Sequence, residues 1–289
     1  MIPDKYTATW VSHSSIRDFL NCPRLYFLRN VYKDPNTNHK ATIMNPPLAT
    51  GQAVHEVIES LSVIPAKKRF ATSLIKLLDV SWEKVTGEKG GFENEAVEHA
   101  YRTRAEDMLR RVMKNPGPLE NLALKIHMDL PHYYLSEEDG IILCGKIDWL
   151  EYLPDTDSVH IIDFKTGKGE EDADSLQLPI YTLIVTNTQN RPLTKASYWY
   201  IDRDNEPTNV SFPDIDESKE TVVKIAKEVA LARKLNRFKC PQGNGCRHCR
   251  PYEMVIEGKA KLVGINDFGQ DIYVVDSQLQ SNEDRSSIL

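Results

Sequence analysis

The stretch IILCGKIDWLEYLPDTDSVHIIDFKTG, residues 141–167, reads as two strands joined by a turn. Apolar residues run from Ile141 to Cys144 and return from Val159 to Phe164, and Pro154-Asp155-Thr156-Asp157 supplies turn residues between them. The reading is one long strand over 141–153 and a returning strand over 158–165. A symmetric four-residue turn sets Leu153 opposite Ser158, and counting outward sets Asp148 opposite Asp163. The two carboxylates then face each other with Cβ atoms about 5 Å apart. Lys165, two residues beyond Asp163, shares its face, while Ile162 and Phe164 take the other. Carboxylates this close repel, and a divalent cation is the usual remedy. A solvated strand face can carry the same letters, but these aspartates lie inside apolar runs, where a charge needs a partner or a task.

Upstream, the period is helical. Ile16, Phe19, Leu20, Leu25, Phe27 and Leu28 predict two short helices between residues 14 and 32, meeting at Cys22-Pro23. Residues 33–49 read as a loop. Val54, Val57, Ile58 and Leu61 give a helix over 50–62, and two more follow near 67–85 and 93–114, before Pro116-Gly117-Pro118 ends the helical half. Strands are expected at 122–130, 132–135 and 196–201, and helices near 175–187 and 216–237. The expected organisation is a lead-in over 1–13 and one α/β domain over 14–252. Its helical part covers about 14–115, its sheet core about 120–202, and its C-terminal helix with a cysteine segment about 216–252. An acidic tail is expected from 253 to 289.

The chain has 289 residues and a formal charge of −6. Residues 136–174 hold twelve acids and three bases, a net −9 that leaves the rest at +3. Residues 231–250 hold six Lys or Arg and no acid. That asymmetry suits a metal-dependent site beside an anion-binding surface, although solvated faces have the same composition. No apolar run approaches the ~20 residues that span a bilayer, and the first residues lack an apolar signal core. A cytoplasmic location is the expectation, with no membrane partner.

His55 lies beside the apolar stripe of the 50–62 helix. On its own it reads as a boundary histidine hydrogen-bonded to neighbours. His55-Glu56-Val57-Ile58-Glu59 is like a zinc-protease helix, except that Glu59 replaces the second histidine. Gln177 and Tyr181 share a helix face at i, i+4. An ordinary surface pair would have the same spacing, and Pro179 between them is tolerated only near a helix start. Five cysteines are few for a disulfide scaffold of this length. Cys246 and Cys249 are spaced C-x2-C, Cys240 precedes them, Cys22 lies near the other terminus, and Cys144 sits in an apolar strand as a core residue.

In order, Cys22-Pro23, Gly51-Gln-Ala-Val-His55, Gly145-Lys-Ile-Asp148, Asp163-Phe-Lys165-Thr-Gly167, Gln177-Leu-Pro-Ile-Tyr181 and a C-terminal cysteine cluster resemble a family. It is the RecB-like, AddB-type branch of the PD-(D/E)xK nucleases, which includes small exonucleases of CRISPR adaptation. The resemblance spans roughly residues 10–252. It implies a restriction-endonuclease-like α/β fold, a mixed central sheet flanked by helices. It makes His55, Asp148, Asp163 and the Phe164 carbonyl ligands of Mg²⁺ or Mn²⁺, with Asp148, Asp163 and Lys165 catalytic and Gln177 and Tyr181 positioning DNA. The substrate it implies is DNA, single-stranded or with free ends.

Iron–sulfur relatives of this family staple the two ends of the domain with one early and three late cysteines, usually in C-x2-C-x5-C order. Here the order is C-x5-C-x2-C, and Val255 stands where a last cysteine is expected. Cys22, Cys240, Cys246 and Cys249 still supply the four thiolates of a [4Fe–4S] cluster. They equally suit structural Zn²⁺. No G-x4-G-K-[ST] occurs, so unwinding would need a separate helicase. Two readings compete with a nuclease: a non-catalytic DNA-end-binding subunit, and a zinc-stabilised interaction protein that keeps the cysteines and has no use for the acidic pair.

Overall fold

The computed structural model describes residues 4–276 apart from 213 and 244. The strands are β1 (Thr9–Val11), β2 (Ala41–Ile43), β3 (His132–Ser136), β4 (Ile141–Cys144), β5 (Trp149–Leu153), β6 (Ser158–Lys165), β7 (Leu193–Tyr200), β8 (Thr208–Asn209), β9 (Lys261–Ile265) and β10 (Asp271–Val274). The helices are α1 (His13–Asn21), α2 (Pro23–Tyr26), α3 (Pro46–Ser60), α4 (Leu74–Trp82), α5 (Glu95–Lys114), α6 (Gln177–Thr188), α7 (Ile215–Lys234) and α8 (Arg250–Ile256). Among the described residues they form three mixed sheets, β5-β6-β7-β8, β1-β4-β3 and β2-β10-β9. This is the mixed α/β architecture expected.

Strand β6 is the spine. It runs antiparallel to β5 and parallel to β7. Leu153 pairs with Ser158 and Trp149 with Ile162, the register set by the turn. The turn closes with Asp157 in the left-handed region at φ 44°, a conformation that Asp tolerates better than most residues. Side chains then alternate between two cores. Trp149, Ile162, Phe164 and Trp199 pack with α3, α4 and α5, and Leu150, Ile161, Ala196 and Tyr198 pack with α6 and α7. Asp163 and Lys165 share the parity of Ile161 and so face the α6 side.

Helix α3 starts where the sequence supplies a cap. Asn45 Oδ1 accepts from Leu48 N–H at 3.0 Å, and Pro46 and Pro47 fill the first turn, where a missing N–H costs nothing. Ala49, Ala53, Val54, Val57 and Ile58 then bury one face. At that helix's Gly51 an added Cβ would stand 3.0 Å from Thr166 Oγ1, so the glycine lets α3 approach the end of β6.

Several expectations are corrected. The long strand over 141–153 is two strands in different sheets, β4 and β5, with a break from Gly145 to Asp148. A Cβ at Gly145 would meet Ile184 Cδ1 at 2.8 Å, so the chain bends there against α6. Residues 122–130 are not a strand: only Ala123 bridges to Glu151. The loop over 33–49 contains β2 and the start of α3. The lead-in contributes β1, whose buried Val11 pairs with Leu143. The tail does not start at 253: α8 runs to Ile256, and β9 and β10 form a hairpin that pairs in parallel with β2. Ile272 of that hairpin is buried in the α3 core. The rest of the acidic tail, 277–289, lies outside the described residues.

Candidate active site

Strand β6 carries Asp163 and Lys165 into the layer below α6. Asp163 is 2% exposed. Gln177, the first residue of α6, donates from Nε2 to Asp163 Oδ1 at 2.8 Å and to Tyr181 Oη at 3.2 Å. Lys165 Nζ forms an ion pair with Asp163 Oδ2 at 3.0 Å. Lys165 Nζ also meets Glu171 Oε2 at 2.6 Å and Gln177 Oε1.

Asp148 precedes β5, one position beyond the last ladder pair. Its Oδ2 accepts from the Phe164 N–H at 2.9 Å, which sets it against the chain beside Asp163. His55 Nδ1, from α3, lies 3.4 Å from the same oxygen. The ring of Phe164 packs on Trp199 in the opposite core, at 5.7 Å between centroids. One ligand atom each from His55, Glu59 and Asp148 lies within 4.8 Å of the others.

Burial first, and the charge of Asp148 second, push the Asp163 carboxyl up from 3.8 to about 7. Burial lowers Lys165, but Asp163 and Glu171 outweigh it and hold the ammonium above its ordinary range. Burial likewise lowers His55, and Asp148 with its neighbours outweighs that. The Tyr181 phenol is pushed well up by burial. The carboxylates of Glu59 and Asp148 with the His55 imidazole are a binding set for a hard or borderline divalent cation.

A family model described as the PD-(D/E)XK nuclease superfamily matches residues 10–254. The chain belongs to the PD-(D/E)XK nuclease superfamily. Nothing among curated proteins matches it. Nucleases of this superfamily are hydrolases that use divalent metals, and the donor set around Asp148 and Asp163 fits such an ion. In this PD-(D/E)XK protein the fold brings His55, Asp148, Asp163, Lys165, Gln177 and Tyr181 into one neighbourhood, with the Phe164 backbone between the two β6 charges. No helix among the described residues is long and apolar enough to cross a membrane.

Two residues of the neighbourhood escaped sequence reasoning. Glu171 sits in the acidic loop after β6, where no period marks it; Ser175 Oγ donates to its Oε1 at 2.6 Å. Glu59 had a signal, its i, i+4 spacing from His55, which registered only as a mismatch to a zinc-protease helix.

The four sequence-predicted cysteines also converge. One sulfur each from Cys22, Cys240, Cys246 and Cys249 lies within 4.8 Å of the others. Cys246 and Cys249 sulfurs are 3.7 Å apart, and the Cys246 N–H donates to Cys249 Sγ at 3.2 Å. Burial raises Cys246, but backbone N–H groups of Cys249 and His248 outweigh it and bring the thiol down to about 7. Burial raises the Cys22 and Cys249 thiols instead, and it is the convergence of four sulfurs that suits a metal. The same junction carries a bidentate ion pair, Arg24 to Glu253 at 2.6 and 3.0 Å, between residues 229 apart in sequence. Val255 packs beside the cysteines as an apolar neighbour. Cys144 is buried elsewhere, its thiol 3.4 Å from the Val11 carbonyl.

Proposed function

We propose that this superfamily member is a Mg²⁺- or Mn²⁺-dependent deoxyribonuclease of the RecB-like, AddB-type branch. It acts on single strands or free DNA ends, as an exonuclease, in DNA repair, recombination or CRISPR adaptation. The observation that carries the reading is the meeting of His55 and Asp148 at 3.4 Å beside the buried Asp163–Lys165 pair. Carboxylates gathered this closely repel one another unless a cation joins them. His55, Asp148, Asp163 and the Phe164 carbonyl would hold the ion, which when bound polarises the phosphate and lowers the pKa of its water. Lys165 neutralises charge growing on the phosphoryl oxygens or orients the attacking water. Gln177 fixes both Asp163 and Lys165, and with Tyr181 it lines the approach of DNA. The exposed Arg233, Lys234, Arg237 and Lys239 give that approach its phosphate contacts. The protein works in the cytoplasm, and a separate helicase supplies unwinding.

The thiol cluster is proposed as a structural metal centre that staples the chain ends. The resemblance implies [4Fe–4S]. The 3.7 Å separation of Cys246 and Cys249 favours a second reading, because thiolates at 2.3 Å around one Zn²⁺ stand about 3.8 Å apart. Anaerobic purification followed by iron and zinc analysis separates them.

The test of function is digestion of end-labelled and circular DNA, single- and double-stranded, with Mg²⁺, Mn²⁺ or EDTA. Metal-dependent loss of the labelled linear substrates, with circles spared, is expected. DNA binding without cleavage under every condition would leave the non-catalytic end-binding reading in its place.

A further inference from the structure

Glu59 stands on the same face of α3 as His55, one turn later. Its carboxylate, with His55 and Asp148, offers ligand atoms that all lie within 4.8 Å of one another. The same carboxylate oxygen also contacts Lys146 Nζ. The Lys146 side chain is 63% exposed and that of Glu59 only 23%. A cavity of about 450 Å³ lined by Glu59, Lys146, Asp148, Leu124 and Ile126 opens beside the pair, so the lysine has room to swing and the carboxylate has little. Asp163 lies close by, with its Oδ2 3.0 Å from Lys165 Nζ, and the Asp148 carboxylate beside it rests on the Phe164 N–H.

We propose that Glu59 is a further ligand of the metal site and that Lys146 holds its place in the metal-free protein, so that metal loading releases Lys146 to a DNA phosphate. The inference rests on the metal-dependent nuclease reading. A carboxylate that accepts a cation gives up its ammonium partner, because the ion is the larger local charge. The freed ammonium then stands at the mouth of the cavity beside the site, free to meet a DNA phosphate. Lys146 therefore competes with metal and cooperates with DNA, two effects of opposite sign from one side chain.

The experiment is Mn²⁺ titration of the full-length protein by calorimetry, with folding of each variant checked by thermal melts. Glu59→Gln, nearly isosteric, should weaken Mn²⁺ binding by about 10- to 100-fold, the range for groups that tune a metal site. Lys146→Met should tighten it severalfold. In a Lys165→Ala background, where DNA is not cut, Lys146→Met should lower the salt slope of DNA binding by about 0.7–0.9 with Mn²⁺ present, and by less without it. Wild-type Mn²⁺ affinity in Glu59→Gln, or unchanged affinity in Lys146→Met, overturns the proposal. Asp148→Asn separates the two levels. If it loses Mn²⁺ while Glu59→Gln does not, only this inference fails; if it binds Mn²⁺ like the wild type, the nuclease reading fails with it.

Discussion

The carboxylate cluster and the thiol cluster each gather side chains from distant parts of the chain, yet they are built on opposite terms. The carboxylates come from the buried end of β6, the residue before β5 and helix α3, and Asp163 is held where its charge is unfavourable. Its carboxyl titrates near 7 because of burial and then Asp148. That group favours the fold fully below its ordinary 3.8, and the contribution is lost as pH rises through about 7. The thiols instead sit where α2, the segment before α8 and the Arg24–Glu253 pair bring residues near 22 and near 250 together. On the proposed reading, one region gives up stability to keep a reactive arrangement, and the other is a staple with no reacting group of its own. Substitutions in the first should therefore change chemistry and spare the fold, and substitutions in the second should do the reverse.

The largest effect is expected at Lys165. Lys165→Ala should lower the cleavage rate by about 10²–10³-fold or more and leave the melting temperature within a few degrees. Full activity, or collapse of the fold, breaks the comparison from the carboxylate side. Next come the cysteines. Cys22→Ser or Cys240→Ser should lose metal and on the order of several kcal/mol of stability, with activity per folded molecule retained. Cys144→Ser should keep the metal. Full metal content in Cys240→Ser would remove Cys240 from the staple.

A smaller effect is expected at Glu171, which neutralises Lys165 from the loop after β6. Glu171→Gln should slow cleavage by about tenfold, some 1.4 kcal/mol in the barrier, measured as kcat/KM. An unchanged rate would make the contact a bystander. The smallest concerns His13, whose imidazole is lowered from 6.5 to about 4 by burial, with Glu171 opposing and Lys165 assisting. A depressed folded pKa contributes stability above 6.5 that is lost as pH falls through about 4. Urea melts of His13→Gln should therefore fall off less steeply than wild type between those pH values. Parallel curves would mean that His13 stays protonated in the fold.

How much was legible follows from the range of each signal. The register depends on a turn and a period of two, both local, and it holds from Leu153–Ser158 to Trp149–Ile162, with Asp148 one position past it and its carboxylate on the Phe164 N–H. The two cores follow from the same parity. The split at Gly145 was not legible, since it depends on contact with Ile184 of a helix later in the chain. Residues 122–130 alternate like a strand, but Leu122, Met128 and Leu130 stay exposed because no partner strand lies beyond Ala123. The β2-β10-β9 sheet joins residues near 41 to residues near 271, and its short strands carry too few residues to show a period. The metal-ligating types were visible as letters. Glu59 and Glu171 became part of the site only through side-chain geometry.

Asp163, buried beside Lys165, is proposed to hold a catalytic ion, and the decisive measurement is the cleavage rate of end-labelled DNA by Asp163→Asn protein, with saturating Mn²⁺ and a melting temperature matched to wild type. Cleavage should not rise above the level seen in EDTA; cleavage at the wild-type rate would mean that Asp163 holds no catalytic ion.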